Sequence, residues 1–584
     1  MLAMLLCCVY AQTAAQPVTP SAKYFLFFKT WNFLKYYHPR FAGGEIEADS
    51  LFVQKLILLK KATSKEELNV FLVNMVDGAG MVGAEDSEKS ALKASTANPV
   101  LQGLVNEKLL NRALKDKLLQ IYSNRDTTGK YYVPALHYTT DIPHEKTYQY
   151  PAKTNVPFEM RLLALAKLQG VIDYLYPHTA LIKPTWDRTI KEMVPLYINC
   201  RSRMEYEILL LKCVARLNDS HAYNCFYDTM VYKKEIFKNS FYPPFAFEVI
   251  DGKLFVTNII IPRLCAEAGI KKGDEITAFN GQSIGKRIAM LSKLLCASNR
   301  NTLIYKLSNY LTNFLWSSDV ARVSLAVSPR SGSGKSVSLR LIGPADKGEI
   351  AAINNYLSEQ SAVKVATPSF RLIKPGTAYF EIDKADLLLK DEQENAIDAK
   401  MDSLLNLAAQ QKGIIFDMRG YPRWGGLVYH YIYKKFSKPE NLFAKYFEAN
   451  AKNLGTFCPV VGTGTYYPST VKPENLNYQG KVCIIVNAQT RSLSEWTTMN
   501  LQHIFPQAIT IGEQTSGADG DEKHINLPGN YNLYFTGNAI YYPDGTLAQG
   551  KGVKIDRRIK PRLEDILNGK DSQLQYALDV INAE

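Results

Sequence analysis

From about residue 367 onward, apolar runs that read as strands alternate with helical stretches, as in GTAYFEI, KGIIFDMRG and KVCIIVNA. That alternation constrains this part of the chain to a layered α/β core. The full length of 584 residues leaves room for roughly three to five domains, so the core is one part of a larger molecule.

The N-terminal third is built differently. Lys29, Tyr36, Pro39 and Asp49 recur as Lys167, Tyr174, Pro177 and Asp187, all at an offset of 138, within FFKTWNFLKYYHPRF and LAKLQGVIDYLYPHT and the residues that follow. Each copy opens with helix-like apolar spacing, reaches an aromatic stretch closed by proline, and continues into another helical stretch. In the second copy Tyr206, Leu209, Leu210, Cys213, Val214 and Leu217 form one apolar helical stripe. It runs out at Asn218-Asp219-Ser220-His221. With a four-residue gap, the first copy reaches Asp77-Gly78-Ala79 at the same point. A hydroxyl and an imidazole in one copy, against glycine and alanine in the other, predict one chemical copy and one architectural copy. The competing reading of His221 is an ordinary packed or surface histidine.

Between about 236 and 345 the texture changes to short alternating strands. The segment LCAEAGIKKGDEITAFNGQSI, Leu264 to Ile284, has a small-residue helix start, a glycine turn, a strand and an Asn-Gly turn. It resembles the peptide-binding PDZ domain. That resemblance implies an extended peptide added as a strand beside the segment near Phe245 to Val249, with Phe245, Ala246 and Phe247 as the substrate-binding candidates, or a β module that only braces its neighbours. The Gly332 to Ser336 run, GSGKS, lacks the first glycine of a phosphate loop and leads into an alternating strand, so it reads as a hairpin loop.

At the N terminus an apolar run from Leu2 to Tyr10 ends in Val9-Tyr10-Ala11 before Gln12, a spacing that resembles a signal-peptidase site, although a basic n-region is missing. Residues 1–15 are therefore expected to be a signal peptide. The chain is expected to be exported, to the periplasm, the outer membrane or the exterior. Removing Cys7 and Cys8 from the nine cysteines leaves an odd, widely spaced set with no CxxC pair, neither a disulfide scaffold nor a zinc site. No later apolar stretch reaches about 18 residues, so no second membrane span is expected.

Composition excludes several classes. Hydrophobic residues at 46%, aromatics at 11% and charges at 21% fit neither a disordered chain nor a polytopic membrane protein. The excess of 69 basic over 56 acidic residues, +13, is scattered and predicts no nucleic-acid partner. With no HExxH, EF-hand or paired CxxC pattern, no metal and no cofactor are expected.

Two loops of the α/β region could carry chemistry. One is DMRGYPRWGG, Asp417 to Gly426, directly after a buried strand, where glycines allow backbone N–H groups to face a ligand. The other is NAQTRSLSEW, Asn487 to Trp496, a strand leading through a turn into a helix. A serine at such a turn projects from the backbone, and the first amides of the helix can stabilise an oxyanion beside it. The competing reading is that Ser492 or Ser494 caps the helix, with Glu495 favourable in its first turn.

DMRGYP, RSLSEW, GEQTSGADGD, NLPGN, YYPDG and the tail GVKIDRRIKPRLEDILNGKD resemble the catalytic domain of the carboxy-terminal processing and tricorn-core serine peptidases. The duplicated helical region and the PDZ-like module match the layout of their secreted bacterial members. The resemblance implies a multidomain α/β (α+β) chain: helical copies at 16–125 and 126–235, a PDZ-like domain at 236–345, and a crotonase/ClpP-like catalytic domain at 346–584. It implies Ser492 as nucleophile and Ser494 as a structural residue. The lysine base of the processing branch is absent from Gly512 to Ala518. The tricorn-core branch takes its base from a Ser-His pair, matched by Ser220 and His221 in LNDSHAY, with Ser220 orienting or relaying to the imidazole. The assisting glutamate of that branch corresponds to Gln549, which cannot neutralise an imidazolium. Leu493 N–H would be one oxyanion donor, and Gly425 or Gly420 the second.

His524 and Lys523, after the GADGD loop, are the alternative bases. His430 and His503 lie in the same region, and His38 and His178 read as packing residues. The expected activity is an exported serine endopeptidase acting on unfolded proteins or peptides, with an oligomer or a membrane-associated substrate among its expected partners. The alternative is a catalytically silent PDZ-containing peptide-binding protein of the same fold. Hydrolysis of a nonpeptide ester or amide would share the nucleophile.

Overall fold

A computed structural model describes residues 16–80, 82, 98–125, 127, 131–133, 141–151, 154–222, 237–238, 240–366, 368–373, 376–383, 394–422, 427–436, 443–460, 474 and 476–583. The expected signal peptide, 1–15, lies outside the described residues. Among the described residues, no helix is long and apolar enough to cross a membrane.

The helical region is built on α1 (Pro20–Tyr37), α2 (Ala48–Leu59), α3 (Lys65–Gly78), α4 (Phe158–Leu175), α5 (Trp186–Asn199) and α6 (Arg203–Ala215). Side chains start these helices where the sequence offers them. Thr19 caps α1, Ser64 and Glu67 form a reciprocal capping box on α3, and Ser202 caps α6. α1 and α4 are apolar nearly all round, and both are buried at the centre.

The stretches related by the 138-residue offset pack on each other. The rings of Tyr36 and Tyr174 lie 4.6 Å apart. One turn away the helices come so close that a Cβ on Gly170 would stand 2.0 Å from Asn32 Oδ1. Lys29 reaches Asp187 at 2.8 Å, and Lys167 reaches Asp49 at 2.8 Å. Each lysine is thus paired with the aspartate of the other stretch. Breaking the buried Lys167–Asp49 pair would strand a charge in the core.

The middle module is an antiparallel sheet in the order β1-β2-β3-β5-β6, with β4 paired to β3. Its strands are β1 (Phe245–Ile250), β2 (Lys253–Ile259), β3 (Glu275–Phe279), β4 (Gln282–Ser283), β5 (Arg322–Ser328) and β6 (Lys335–Arg340). The GSGKS run leads from the β5–β6 turn into β6. Trp316 packs against Phe245, Phe247 and Phe279 in the module's core. Helix α7 (Arg300–Ser308) covers β1, the edge strand.

The C-terminal region contains the sheet that the alternation predicts. Its order is β17-β13-β12-β9-β8-β7, from β7 (Phe370–Leu372), β8 (Thr377–Glu381), β9 (Gly413–Asp417), β12 (Lys481–Val486), β13 (Ile509–Gly512) and β17 (Arg557–Arg558). All pairs except β7–β8 are parallel. β9 shows why its sequence is uniformly apolar. Ile414 and Phe416 face Met401 and Leu405 of α8 (Glu394–Ala409) and Met499 of α9 (Leu493–Ile504). Ile415 faces Ala577, Leu578 and Ile581 of α10 (Ser572–Asn582) on the other side. Beside this sheet, β10 (Lys445–Ala449), β11 (Phe457–Pro459) and β16 (Ala539–Tyr541) make a small antiparallel one.

The hairpin of β14 (Glu522–Leu527) and β15 (Tyr531–Thr536) packs elsewhere. Its Ile525, Leu527, Leu533 and Phe535 are buried in the core of the helical region. Its turn is held there by Arg203 Nη2 donating to Gly529 O at 2.9 Å and Tyr206 OH donating to Pro528 O at 2.8 Å. This arm brings the far end of the chain onto the end of α6.

Candidate active site

Ser492 sits at the junction of the turn after β12 and the start of α9. The turn is preset by short-range bonds: Gln489 N–H donates to Asn487 Oδ1 at 2.8 Å, and Asn487 N–H to Thr490 Oγ1 at 3.0 Å. Ser492 itself has φ +52° and ψ −123°, a conformation that L residues rarely adopt and that costs on the order of 1–3 kcal/mol. Its N–H donates to Ala518 O at 2.9 Å and its carbonyl accepts from Trp496 N–H at 3.0 Å, which holds the strained residue in place. Although Ser492 occupies the N-cap position, its hydroxyl makes no capping bond. A strained strand-to-helix turn with an uncommitted hydroxyl is the geometry of a nucleophile elbow.

Neighbouring residues fix this turn from below. Ser494 is fully buried and donates to Met418 O at 3.1 Å and Gly420 O at 2.9 Å, tying α9 to the loop after β9. Glu495, also fully buried, accepts from Thr515 Oγ1 at 2.5 Å, Gly517 N–H at 2.8 Å and Ala518 N–H at 2.9 Å. Burial pushes its carboxyl up against those bonds. Glu495 therefore anchors the 515–518 loop, whose Ala518 carbonyl positions Ser492. Leu493 is the first helical residue, so its N–H has no intrahelical acceptor. Gly420 is confined, since a Cβ there would meet Asp383 at 2.2 Å. Gly425 lies outside the described residues.

The end of α6 meets the same loop from the other side. Ser220 Oγ donates to Ser516 O at 3.2 Å, and Ser220 also exchanges bonds with Ser298 at 2.7 and 2.9 Å. From α7 and its cap, Asn299 and Asn301 hold the carbonyls of Thr515 and Gln514 at 2.8 and 2.6 Å. The hydroxyl of Ser220 is thus spent on joining the helical region to the middle module and the loop. His221 makes its bond elsewhere: Nδ1 faces Thr536 Oγ1 at 2.8 Å.

His221 is fully buried. Burial pushes its imidazole down to about 3, with Arg491 and Lys306 adding repulsion. Burial also brings the Lys306 amine down to about 8. His221 Nε2 has no hydrogen-bond partner among the described residues, and Glu522 Oε1 lies 3.8 Å from it. Behind the imidazole, the buried carboxylate of Asp219 accepts from Thr536 Oγ1 at 2.8 Å, Gln549 Nε2 at 3.1 Å, His221 N–H at 3.1 Å and Thr536 N–H at 2.6 Å.

The alternative bases are placed differently. His524 Nε2 is 2.5 Å from Asp141 Oδ1, and its backbone carbonyl accepts from Ile142 N–H. Lys523 follows Glu522 on the strand and so projects from the opposite face of β14, where burial lowers its amine. His38 and His178 are buried and touch backbone carbonyls, Gly80 O at 3.2 Å and Asn538 O at 3.3 Å. His503 is the basic residue of the last turn of α9.

The side chains of Phe245 and Phe247 point into the module's core against Trp316, and Ala246 between them is half-buried. A cleft of about 920 Å³ opens further along β1, at Glu248, Val249 and Ile250, between α7 and the C-terminal region at Gln489 and Glu513. Of the segment Phe245 to Val249 expected beside a peptide, the strand's alternation turns Phe245 and Phe247 inward, and Glu248 and Val249 line the cleft.

Thr536, Asp219, Glu522 and Glu495 were not singled out from the sequence as site residues. Asp219 carried a signal in its place beside Ser220-His221 at the helix end, and Glu495 in its place in RSLSEW; Thr536 and Glu522 carried none. Among the described residues no cluster of His, Cys, Asp and Glu could hold a metal ion.

Residues 377–559 match the family model of Peptidase family S41. A search of curated proteins returns no match. Among solved structures, mature CPAF is similar with a TM-score of 0.51 at 13% identity, over 72% of this chain and 96% of that one. The tricorn protease gives 0.31 at 16% identity, over 72% of this chain and 36% of its own. The photosystem II D1 C-terminal processing protease gives 0.33 at 13%, over 71% and 98%. The likeness to mature CPAF is one of fold.

Proposed function

We propose that this chain, whose residues 377–559 match the model of Peptidase family S41, is a serine peptidase of that family, an exported endopeptidase that cleaves unfolded proteins or peptides with Ser492 as nucleophile and His221 as base. The backbone of Ser492 carries the reading. A residue held at positive φ, at the start of a helix, with a hydroxyl that does not cap it, is explained by exposure of that hydroxyl to a substrate.

In the proposed cycle Ser492 Oγ attacks the scissile carbonyl carbon and its proton passes to His221 Nε2. The carbon–nitrogen bond breaks as the imidazolium returns that proton to the departing amine. This leaves an ester on Ser492. His221 then takes a proton from water, the hydroxide adds to the ester carbon, and the proton returns to Ser492 as the acid leaves. Base catalysis of this type contributes about 10²- to 10⁴-fold. Leu493 N–H, at the positive end of α9, is the first oxyanion donor, and the loop after β9 supplies the second from Gly420 or Gly425. One such donor is worth about 2.7 to 4 kcal/mol.

The middle module we read as PDZ-like. A peptide lying in the cleft would pass Glu248 to Ile250 beside α7 and run toward Gln489, on the turn that leads to Ser492. The stretches that open with α1 and α4 we read as copies of one ancestral unit, as their reciprocal lysine–aspartate pairs support.

The test is digestion of casein by the wild-type chain, Ser492→Ala and His221→Ala, with fragments read by mass spectrometry. Loss of cleavage in both variants is expected. Cleavage that survives His221→Ala but not Ser492→Ala would move the base to His524 or Lys523. No cleavage by folded wild type would favour a peptide-binding protein, the reading that the depressed basicity of His221 and the amide at position 549 support.

A further inference from the structure

The base in this mechanism becomes a cation in a poor place for one. His221 has no exposed surface, two cations, Arg491 and Lys306, act on it, and position 549, where the resemblance calls for a glutamate, offers an amide. Glu522 is the nearest carboxylate to Nε2, but at 3.8 Å it faces the nitrogen that must be free to meet Ser492. Nδ1 faces the hydroxyl of Thr536.

We propose that Asp219 and Thr536 are the positioning residues of the base, with the Asp219 carboxylate supplying the negative charge through the Thr536 hydroxyl. The proposal rests on His221 being the base. The direction of each hydrogen bond follows from the partners. Asp219 Oδ1 accepts from the Thr536 hydroxyl at 2.8 Å, so the single hydroxyl hydrogen of Thr536 is committed there. Only lone pairs of Thr536 Oγ1 are then left toward His221 Nδ1 at 2.8 Å, and that nitrogen must carry the ring proton. Nε2 is left with its lone pair, the form a general base needs. When Nε2 takes the serine proton, the positive charge is shared with Nδ1–H, and the chain Nδ1–H to Thr536 to Asp219 ends on a carboxylate.

The carboxylate is itself fixed. Thr536 N–H donates to Oδ2 at 2.6 Å, while Gln549 Nε2 and His221 N–H donate to Oδ1 at 3.1 Å each. Gln549 therefore takes no direct part at the imidazole. Its amide orients the carboxylate that does the work a glutamate there would have done.

Three variants of the full chain test this, each checked for folding by circular dichroism. Thr536→Val keeps the shape and removes the hydroxyl: kcat on casein should fall on the order of 10²-fold with KM within about twofold. Thr536→Ser should restore most of kcat. Asp219→Asn should do at least as much harm as Thr536→Val. The amide carries no charge to set against the imidazolium, and its NH2 must face a donor in either orientation, Thr536 N–H at the Oδ2 position or Gln549 Nε2 and His221 N–H at the Oδ1 position. The pH–rate profile of Thr536→Val should also move, because Arg491 and Lys306 oppose the imidazolium, the neighbouring His178 imidazole interacts with it, and Glu522 and the relay's Asp219 are the carboxylates on the other side.

Should Asp219→Asn fail to fold, the Thr536 pair decides alone. Wild-type kcat and pH profile in Thr536→Val, with His221→Ala inactive, would overturn the relay and leave the base in place. Wild-type cleavage by His221→Ala would overturn both.

Discussion

Asp77 and Asp219 stand at corresponding points of the two related helical stretches, one residue before Gly78-Ala79 and one before Ser220-His221. Their surroundings differ completely. Asp77, at the end of α3, has a side chain 51% exposed and pairs with Lys117 at 2.6 Å. Asp219, after α6, has no exposed surface and accepts four hydrogen bonds from Thr536, Gln549 and His221. The helices that lead to them are alike. What separates the two ends is the cover: the β14–β15 hairpin lies on the second, where it desolvates Asp219 and His221 and supplies Thr536 and Glu522. A helix end acquires chemistry here when another part of the chain buries it with matched donors.

The sharpest break of this comparison is in turnover. Ser492→Ala and His221→Ala should each lower kcat/KM on casein by roughly 10⁴-fold or more, whereas Asp77→Ala should leave it at the wild-type value. An Asp77→Ala enzyme with reduced kcat/KM would mean that the two ends are coupled and the division into a chemical and an architectural end is wrong.

Stability should separate the ends next. Asp219→Ala strands Thr536 N–H, Gln549 Nε2 and His221 N–H in a fully buried site, and each orphaned donor costs about 1–3 kcal/mol. A loss of about 3 kcal/mol or more in urea unfolding is therefore expected. A loss under about 1 kcal/mol would mean that water reaches the site and satisfies those groups.

Protonation gives a third, smaller difference. Burial, Arg491 and Lys306 hold folded His221 at about 3, against about 6.5 in the unfolded chain, and Glu522 at 3.8 Å is the nearest anion. Below pH 6.5 the unfolded state therefore takes up a proton that the folded state refuses, so this residue's contribution turns against folding as pH falls. Between pH 6.5 and 5 the wild type should lose about 1.7 kcal/mol relative to His221→Gln. Equal pH dependence of the two would show that the imidazole is hydrated and titrates near its ordinary value. At the first end the comparable group is His38, which touches Gly80 O at 3.2 Å and is also lowered by burial.

Much of this site was legible in the sequence where the signal is local. A strand, a turn and a helix start mark Ser492 and its neighbours within ten residues, and the layered α/β core follows from uniformly apolar strands. The contrast between Ser220-His221 and Gly78-Ala79 points to one chemical copy, while the role of His221 as base comes from the resemblance. The resemblance gives Ser220 the orienting role, whereas after Asn218, at φ +51°, the chain turns so that Ser220 faces Ser516 and Ser298 while His221 faces the hairpin. Thr536 lies 315 residues from His221, on a hairpin whose apolar alternation says that it is buried but not against what. The burial of Phe245 and Phe247 has a different cause. Strand alternation sends both into the core, and position within a resembling module says nothing about which face a side chain takes.

The smallest expected effect probes the first end directly. Lys117 and Asp77 meet at 2.6 Å, as close as many buried pairs, yet their side chains are 37% and 51% exposed. Water already satisfies both charges when they are apart, holding two mobile side chains together costs entropy, and salt screens what attraction remains. Lys117→Ala and Asp77→Ala should therefore each change stability by less than about 0.5 kcal/mol, and the double variant should show a coupling no larger than that. Raising the salt should shrink even this. The same short distance that would matter at Asp219 counts for little at Asp77, because there the unpaired alternative is a hydrated ion and not an orphaned one. A coupling above 1 kcal/mol that persists in high salt would show that α3 ends in a desolvated site after all, and the contrast between the two ends would then be one of degree.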